Sequence, residues 1–184
     1  MLLIQFTGLP SSGKTTIANL VKTKLARQGI SIEVIDGDEY RKTICKGLGF
    51  SYEDRVENLR RLGFIGKLLL RNKVISIISA INPYENIRRE LSESSKSVKT
   101  VWINCSLETL IQRDPKGLYK RALLPDGHPD KVLQFTGISD LYENPVSPDL
   151  ILNTDQESPE ESSNRLVEFI FKNIENNKQI SKNQ

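Results

Sequence analysis

Cysteine, histidine and long apolar runs are what this chain has little of, and each shortage closes off a class of function. Two cysteines, Cys45 and Cys105, in 184 residues build neither a disulfide framework nor a zinc site, so two free thiols in a reducing compartment are expected. The one histidine, His128, lies in Pro125-Asp126-Gly127-His128-Pro129-Asp130; it offers no metal cluster and reads as a solvated loop residue. No apolar run reaches the roughly 20 residues that cross a bilayer, so no membrane association is expected. No signal-peptide pattern is present, because Phe6 leads straight into a glycine loop, and a cytoplasmic location is the expectation. A net charge of +3, with Lys and Arg spread along the chain, leaves no footprint for nucleic acid, although it suits anionic small molecules. Repeats and linkers are also missing. One domain over residues 1–173 is expected, with a polar tail over 174–184.

What the chain does have is Gly8-Leu9-Pro10-Ser11-Ser12-Gly13-Lys14-Thr15, followed by Thr16. It reads G-x-x-x-x-G-K-[ST] between an apolar run and a helical pattern, the context in which this motif cradles phosphates. Its glycines let backbone N–H groups close on anionic oxygens, and the following helix adds the positive end of its dipole. Lys14 then reaches the β- and γ-phosphates, and the Thr15 hydroxyl ligates Mg²⁺. The bland alternative, a loop that only joins strand to helix, does not explain the lysine and threonine. ATP with Mg²⁺ is the expected donor.

Apolar runs at 2–7, 31–35, 74–79, 98–104 and 150–153 alternate with helical patterns at 15–28, 40–46, from Ser51 to 71, 83–92, 107–113 and 158–172. Strands alternating with helices predict a three-layer α/β fold with a mainly parallel sheet, the phosphate-loop hydrolase and kinase architecture. Residues 116–148, rich in glycine and proline, read as a long irregular lid.

Asp36 and Asp38 follow the second strand, at the end of a parallel sheet where ligands bind. A carboxylate there holds a metal-bound water or accepts the proton of an attacking hydroxyl; a solvated Asp-Gly-Asp turn is the ordinary reading of the tripeptide alone. Arg55 and Asn58 share a helix face and could bind an anion and a base, yet the segment by itself reads as a charged surface helix. Phe50 alone reads as core, with stacking on a base the sharper option.

Taken together, these stretches resemble the adenylylsulfate kinase family. The matching segments are 8–16, Asp36-Gly37-Asp38 with Arg41, Gly49-Phe50-Ser51 leading to Arg55-Val56-Glu57-Asn58-Leu59-Arg60-Arg61, Ile81-Asn82-Pro83-Tyr84, Arg113-Asp114-Pro115-Lys116-Gly117-Leu118-Tyr119-Lys120, Phe135-Thr136-Gly137-Ile138 and Tyr142-Glu143-Asn144-Pro145. They run in the family's order over about residues 2–170. The resemblance implies transfer of the ATP γ-phosphoryl to the 3′-hydroxyl of adenosine 5′-phosphosulfate. It implies Asp38 as general base near the hydroxyl and Mg²⁺, and Arg41, Arg55 and Asn58 as acceptor contacts. Phe50 and Phe135 would sandwich the adenine, Ile81, Asn82 and Lys116 would take further acceptor positions, and a lid at about 113–137 would bring Arg113 to the ATP side. A homodimer is left open. Asn82 replaces a serine that some family members phosphorylate, which excludes a phosphoserine intermediate here. The stretch before Phe135 is longer than usual for the family. Two rival readings follow: a kinase of the same fold for another activated nucleotide, such as cytidine diphosphoramidate, and a non-catalytic nucleotide-binding module. Intact Lys14, Thr15, Asp38 and Arg55 argue against the last.

Overall fold

Five short apolar runs become strands: β1 (Leu3–Thr7), β2 (Ile32–Asp36), β3 (Ile75–Ser79), β4 (Val98–Asn104) and β5 (Leu150–Asn153). The computed structural model describes the backbone of residues 1–182 and the side chains of residues 1–176. All four pairings are parallel, in the order β2-β3-β1-β4-β5. β1 and β3 are buried throughout, as expected of strands covered on both faces.

The period of two along β1 divides the core. Leu2, Ile4 and Phe6 pack with Ile17, Val21 and Leu25 of α1 (Lys14–Ala26) and with Leu166 and Ile170 of α7 (Pro159–Lys182). Leu3 faces the other way, into a cluster with Leu59 and Leu62 of α3 (Tyr52–Arg71) and Ile87 of α4 (Glu85–Glu93). Each such side chain contributes about 1.5–3 kcal/mol by burial, so helices on both faces pin the middle layer. A third cluster, Cys105, Leu110, Tyr119, Ala122 and Phe135, roots the lid. It joins α5 (Leu107–Arg113) to α6 (Leu118–Ala122).

Most elements fall where the sequence places them; α6 lies inside the stretch read as an irregular lid, and two others differ in their bounds. The helix read at 40–46 is instead α2 (Gly37–Tyr40), because the Asp36 carboxylate accepts the Asp38 and Glu39 N–H groups and starts the helix early. The chain then runs in turns to Gly47. α7 continues to Lys182 rather than ending near residue 172; Phe171 and Ile174 still pack on the core and carry it past that point. Residues 183 and 184 of the expected tail lie outside the described residues. The Ser51 cap forms as read, its Oγ accepting the Asp54 N–H at 3.2 Å. Cys45 and Cys105 are both free and buried, and His128 is exposed.

Candidate active site

The loop after β1 is pressed against its neighbours. A Cβ on Gly8 would sit 2.5 Å from the Ile103 carbonyl oxygen of β4, and Gly13 turns into α1 at φ +96°, a conformation that side chains resist. Three contacts made by distant residues hold the loop in place. Gly8 N–H donates to Ile81 O at 3.1 Å, the Tyr119 hydroxyl to Pro10 O at 3.0 Å, and the Thr154 hydroxyl to Ser12 O at 2.9 Å.

Lys14 is buried and its ammonium lies back on the loop, donating to Gly8 O at 2.9 Å, Leu9 O at 2.7 Å and Ser12 Oγ at 3.3 Å. Burial pulls its pKa from 10.5 to about 8, against the opposing pull of Asp38 and Asp36. A phosphate must meet the protonated form, and binding one raises the pKa again. ATP affinity should therefore hold level below pH 8 and weaken about tenfold per pH unit above it, until the bound lysine itself titrates. Calorimetric titration with ATP between pH 7 and 10 checks this; an affinity flat to pH 9.5 would show that Lys14 keeps its proton.

Sheet order decides how the carboxylates reach this loop. β3 lies between β1 and β2, so Asp36 is one strand removed, and Ser79, its register partner on β3, fills the gap. Thr15 Oγ1 donates to Asp36 Oδ2 at 2.8 Å and lies 3.3 Å from Ser79 Oγ. These oxygens meet at the start of α1. Among the described residues no group of three or more His, Cys, Asp or Glu side chains forms a metal cage. The three oxygens nevertheless suit Mg²⁺, a hard cation that keeps several waters and binds through one or two carboxylates together with substrate phosphates.

Asp38, in the first turn of α2, is exposed, and its Oδ2 lies 3.4 Å from Lys116 Nζ of the lid. A contact across 78 positions of chain thus brings the candidate base and the candidate lid lysine together.

Arg55 is the hub of the acceptor wall. Its Nε donates to Phe50 O at 2.9 Å, Nη1 to Thr136 Oγ1 at 3.0 Å and Nη2 to Gln134 O at 2.6 Å, while Asp140 pairs with it at 3.0 Å. One guanidinium therefore ties the backbone beside Phe50 to the segment flanking Phe135. Far from lying on a solvated surface, Arg55 and Asn58 are 7% and 5% exposed. Asn58 Oδ1 has no hydrogen-bond partner among the described residues. Phe50 is 56% exposed, with the Arg41 guanidinium 4.6 Å from its ring centre. Arg41 also donates to Leu48 O and Gly49 O, and burial, with the nearby Arg55 charge, lowers its pKa. Phe135 is buried, edge-on to Tyr119 at 4.9 Å. Arg113 donates to Thr154 O at 2.6 Å and so stands beside the phosphate loop.

Asn82 takes a different direction. Its Nδ2 donates to Gln5 Oε1 at 2.9 Å, so the amide joins a buried network instead of the Arg55 wall. Ile81 contributes through its backbone, its carbonyl holding both Gly8 N–H and the Thr7 hydroxyl. Several residues of the site were not singled out from the sequence: Ser79, Thr154 and Arg88. Ser79 ends an apolar strand and Thr154 follows one, with no motif around either. Arg88, 1% exposed, looks like one charge among many on α4. It donates to Asn82 O at 2.6 Å and Glu143 O at 2.7 Å, and pairs with Glu85. The Tyr142 hydroxyl meets Thr7 Oγ1 at 3.0 Å, which gives the Tyr142–Glu143 stretch a place in the same scaffold.

A parallel sheet with a glycine-lysine-threonine phosphate loop after its central strand, and carboxylates after the strand two places away, defines a phosphate-loop kinase. A lid rooted beside that loop through Tyr119 agrees with this class. The chain belongs to the adenylylsulphate kinase family, whose model matches residues 1–153. It is 45% identical over 166 residues to an adenylyl-sulfate kinase of Chloroflexus aurantiacus, covering 90% of this chain and 87% of that one. It is 46% identical over 159 residues to an adenylyl-sulfate kinase of Microcystis aeruginosa, covering 86% and 85%. Among solved structures, the Mycobacterium tuberculosis APS kinase in complex with AMPPNP and APS superposes with a TM-score of 0.84 at 36% identity, covering 92% of this chain and 96% of that one. Among the described residues no helix is long and apolar enough to cross a membrane.

Proposed function

We propose that this protein transfers the γ-phosphoryl group of ATP to the 3′-hydroxyl of adenosine 5′-phosphosulfate. The observation that carries the reading is the position of Asp38. It lies close enough to Lys14 of the phosphate loop and to Arg41 for its charge to act on both, with Lys116 of the lid in contact. The family membership and the likeness to a structure holding AMPPNP and APS support the choice of both nucleotides.

In this reading Lys14 exchanges its loop carbonyls for the β- and γ-phosphate oxygens. Thr15, with Asp36 and Ser79 behind it, would hold Mg²⁺, which when bound neutralises charge on those phosphates. Arg55 and Arg41 face the anionic end of the acceptor, and Asn58, whose buried Oδ1 has no partner among the described residues, would turn toward a base or ribose donor. Phe50 offers an exposed ring face for stacking. Asp38 accepts the 3′-hydroxyl proton as the bond from the γ-phosphorus to the ADP oxygen breaks and the new bond to the 3′-oxygen forms. Asn82 cannot carry the phosphoryl group, so transfer is direct. The lid, anchored through Tyr119, excludes water that would otherwise compete for the phosphoryl group.

ADP release by the purified protein with Mg²⁺-ATP, measured beside several activated nucleotides, tests this. Adenosine 5′-phosphosulfate should give a kcat/KM at least about 100-fold above that of cytidine diphosphoramidate, since a site built on fixed polar contacts rejects a mismatched partner strongly. The reverse order would move the acceptor to the cytidine class, and no ADP with any acceptor would contradict a kinase.

A further inference from the structure

Two contacts from the lid and the segment after it press on the outer residues of the phosphate loop. The Tyr119 hydroxyl of α6 donates to Pro10 O at 3.0 Å. Leu9 packs against Gly137, where an added Cβ would sit 2.4 Å from Leu9 Cδ2. With φ +89° at Gly137, both the backbone and the close approach require glycine there. Leu9 is also the residue whose carbonyl accepts the Lys14 ammonium at 2.7 Å, so these contacts meet the loop where its lysine rests. Behind the hydroxyl, the Tyr119 ring is fully buried and stands edge-on to Phe135, the ring centres 4.9 Å apart and the planes at 86°. Phe135 lies between Gln134 and Thr136, which accept Arg55 Nη2 at 2.6 Å and Nη1 at 3.0 Å. An unbroken path therefore runs from Pro10 to Arg55: a hydrogen bond, an aromatic pair, one step of chain and a second hydrogen bond.

We propose that Tyr119 is a positioning residue that couples the donor loop to the acceptor wall, so that order imposed on one side by its nucleotide favours binding on the other. A buried tyrosine whose hydroxyl meets a loop carbonyl is often no more than a prop. What sets Tyr119 apart is that its ring pairs with the residue flanked by both Gln134 and Thr136, the partners of Arg55. Close packing transmits small displacements, and Leu9, Leu118 and Ile138 fill the space around the two rings. Phenylalanine would fill the same cluster, so the hydroxyl is the part that joins the rings to the donor loop. Coupling of this kind is reciprocal: a lesion on the donor side must weaken the acceptor, and the reverse. The role rests on the kinase reading above only in taking residues 134–137 as the border of the acceptor.

The test uses the full-length protein with Mg²⁺, calorimetry with AMPPNP, and steady-state rates with ATP and the acceptor. Tyr119→Phe keeps the ring and removes only the hydroxyl. AMPPNP should bind about 2–12-fold more weakly, the loss that follows from one unmade hydrogen bond. The KM for the acceptor should rise by a similar factor, although no atom on the acceptor side has changed. Phe135→Leu is the reciprocal lesion, and with no acceptor present it should weaken AMPPNP at least about threefold. In the double variant the loss should fall short of the product of the two single losses by about threefold, as it does for residues that act through each other. A Tyr119→Phe loss confined to AMPPNP, or a lower melting temperature with both constants unchanged, would reduce the tyrosine to a prop and overturn the proposal. So would single losses that simply multiply, or an AMPPNP affinity untouched by Phe135→Leu. That last arm needs no acceptor, so its failure is distinct from a wrong acceptor, and Tyr119→Phe decides the matter even if Phe135→Leu folds poorly.

Discussion

Asp38→Asn should leave ATP affinity nearly unchanged and lower kcat by about 10²–10⁴-fold, the range that a positioned base contributes. The replacement keeps the size of the side chain and, with it, the backbone N–H of residue 38 that donates to Asp36 Oδ1 at 2.9 Å. Neither the start of α2 nor the Thr15–Asp36–Ser79 oxygens should move. What goes is the proton acceptor, together with the ion pair to Lys116. That pair is exposed, and exposed pairs contribute little to stability, so the melting temperature should barely change. Calorimetry for ATP and steady-state rates for turnover separate the two effects. A kcat within about threefold of the unaltered enzyme would show that Asp38 matters only for shape, which a loose, metaphosphate-like transition state would permit.

Lys14→Met should cost about 10²–10³-fold or more in kcat/KM, as loss of a preorganised donor to developing charge does elsewhere. The protein should still fold. Lys14 is a buried ammonium whose pKa has already dropped to about 8, and an apolar chain of similar length removes the burden of burying that charge. Water can take over the Gly8 and Leu9 carbonyls that the ammonium now serves. The decline of ATP affinity above pH 8 should vanish in the variant, since the titrating group is gone. A methionine variant with full turnover would remove Lys14 from the mechanism.

Local chemistry in this chain could be read without coordinates. β4 and α5 occupy the runs read at 98–104 and 107–113, because the apolar spacing of a strand and of a helix is a signal carried by neighbouring residues. α2 shows the limit of that approach: Asp36 could be read as the end of a strand or as a helix cap, and only the hydrogen bonds to Asp38 and Glu39 N–H decide. Contacts between distant segments were out of reach. Arg55 reads as surface charge until Gln134, Thr136 and Asp140 close over it. Ser79 has no chemical meaning until strand order sets it between Asp36 and Thr15. Asn82 could be noted as a departure from serine, but its alliance with Gln5, 77 positions away, depends on the pairing of β1 with β3, which brings the segment after β3 alongside β1.

The position of phosphorylation tests the account most directly. The protein is incubated with Mg²⁺-ATP and adenosine 5′-phosphosulfate, and the nucleotide product is examined by phosphorus NMR, with the 3′-deoxy acceptor run in parallel. One new phosphomonoester coupled to the 3′-proton, formed in step with ADP and not formed from the 3′-deoxy acceptor, is the result expected. ADP formed equally well with the 3′-deoxy acceptor, or phosphate found at the 2′-oxygen, would contradict it.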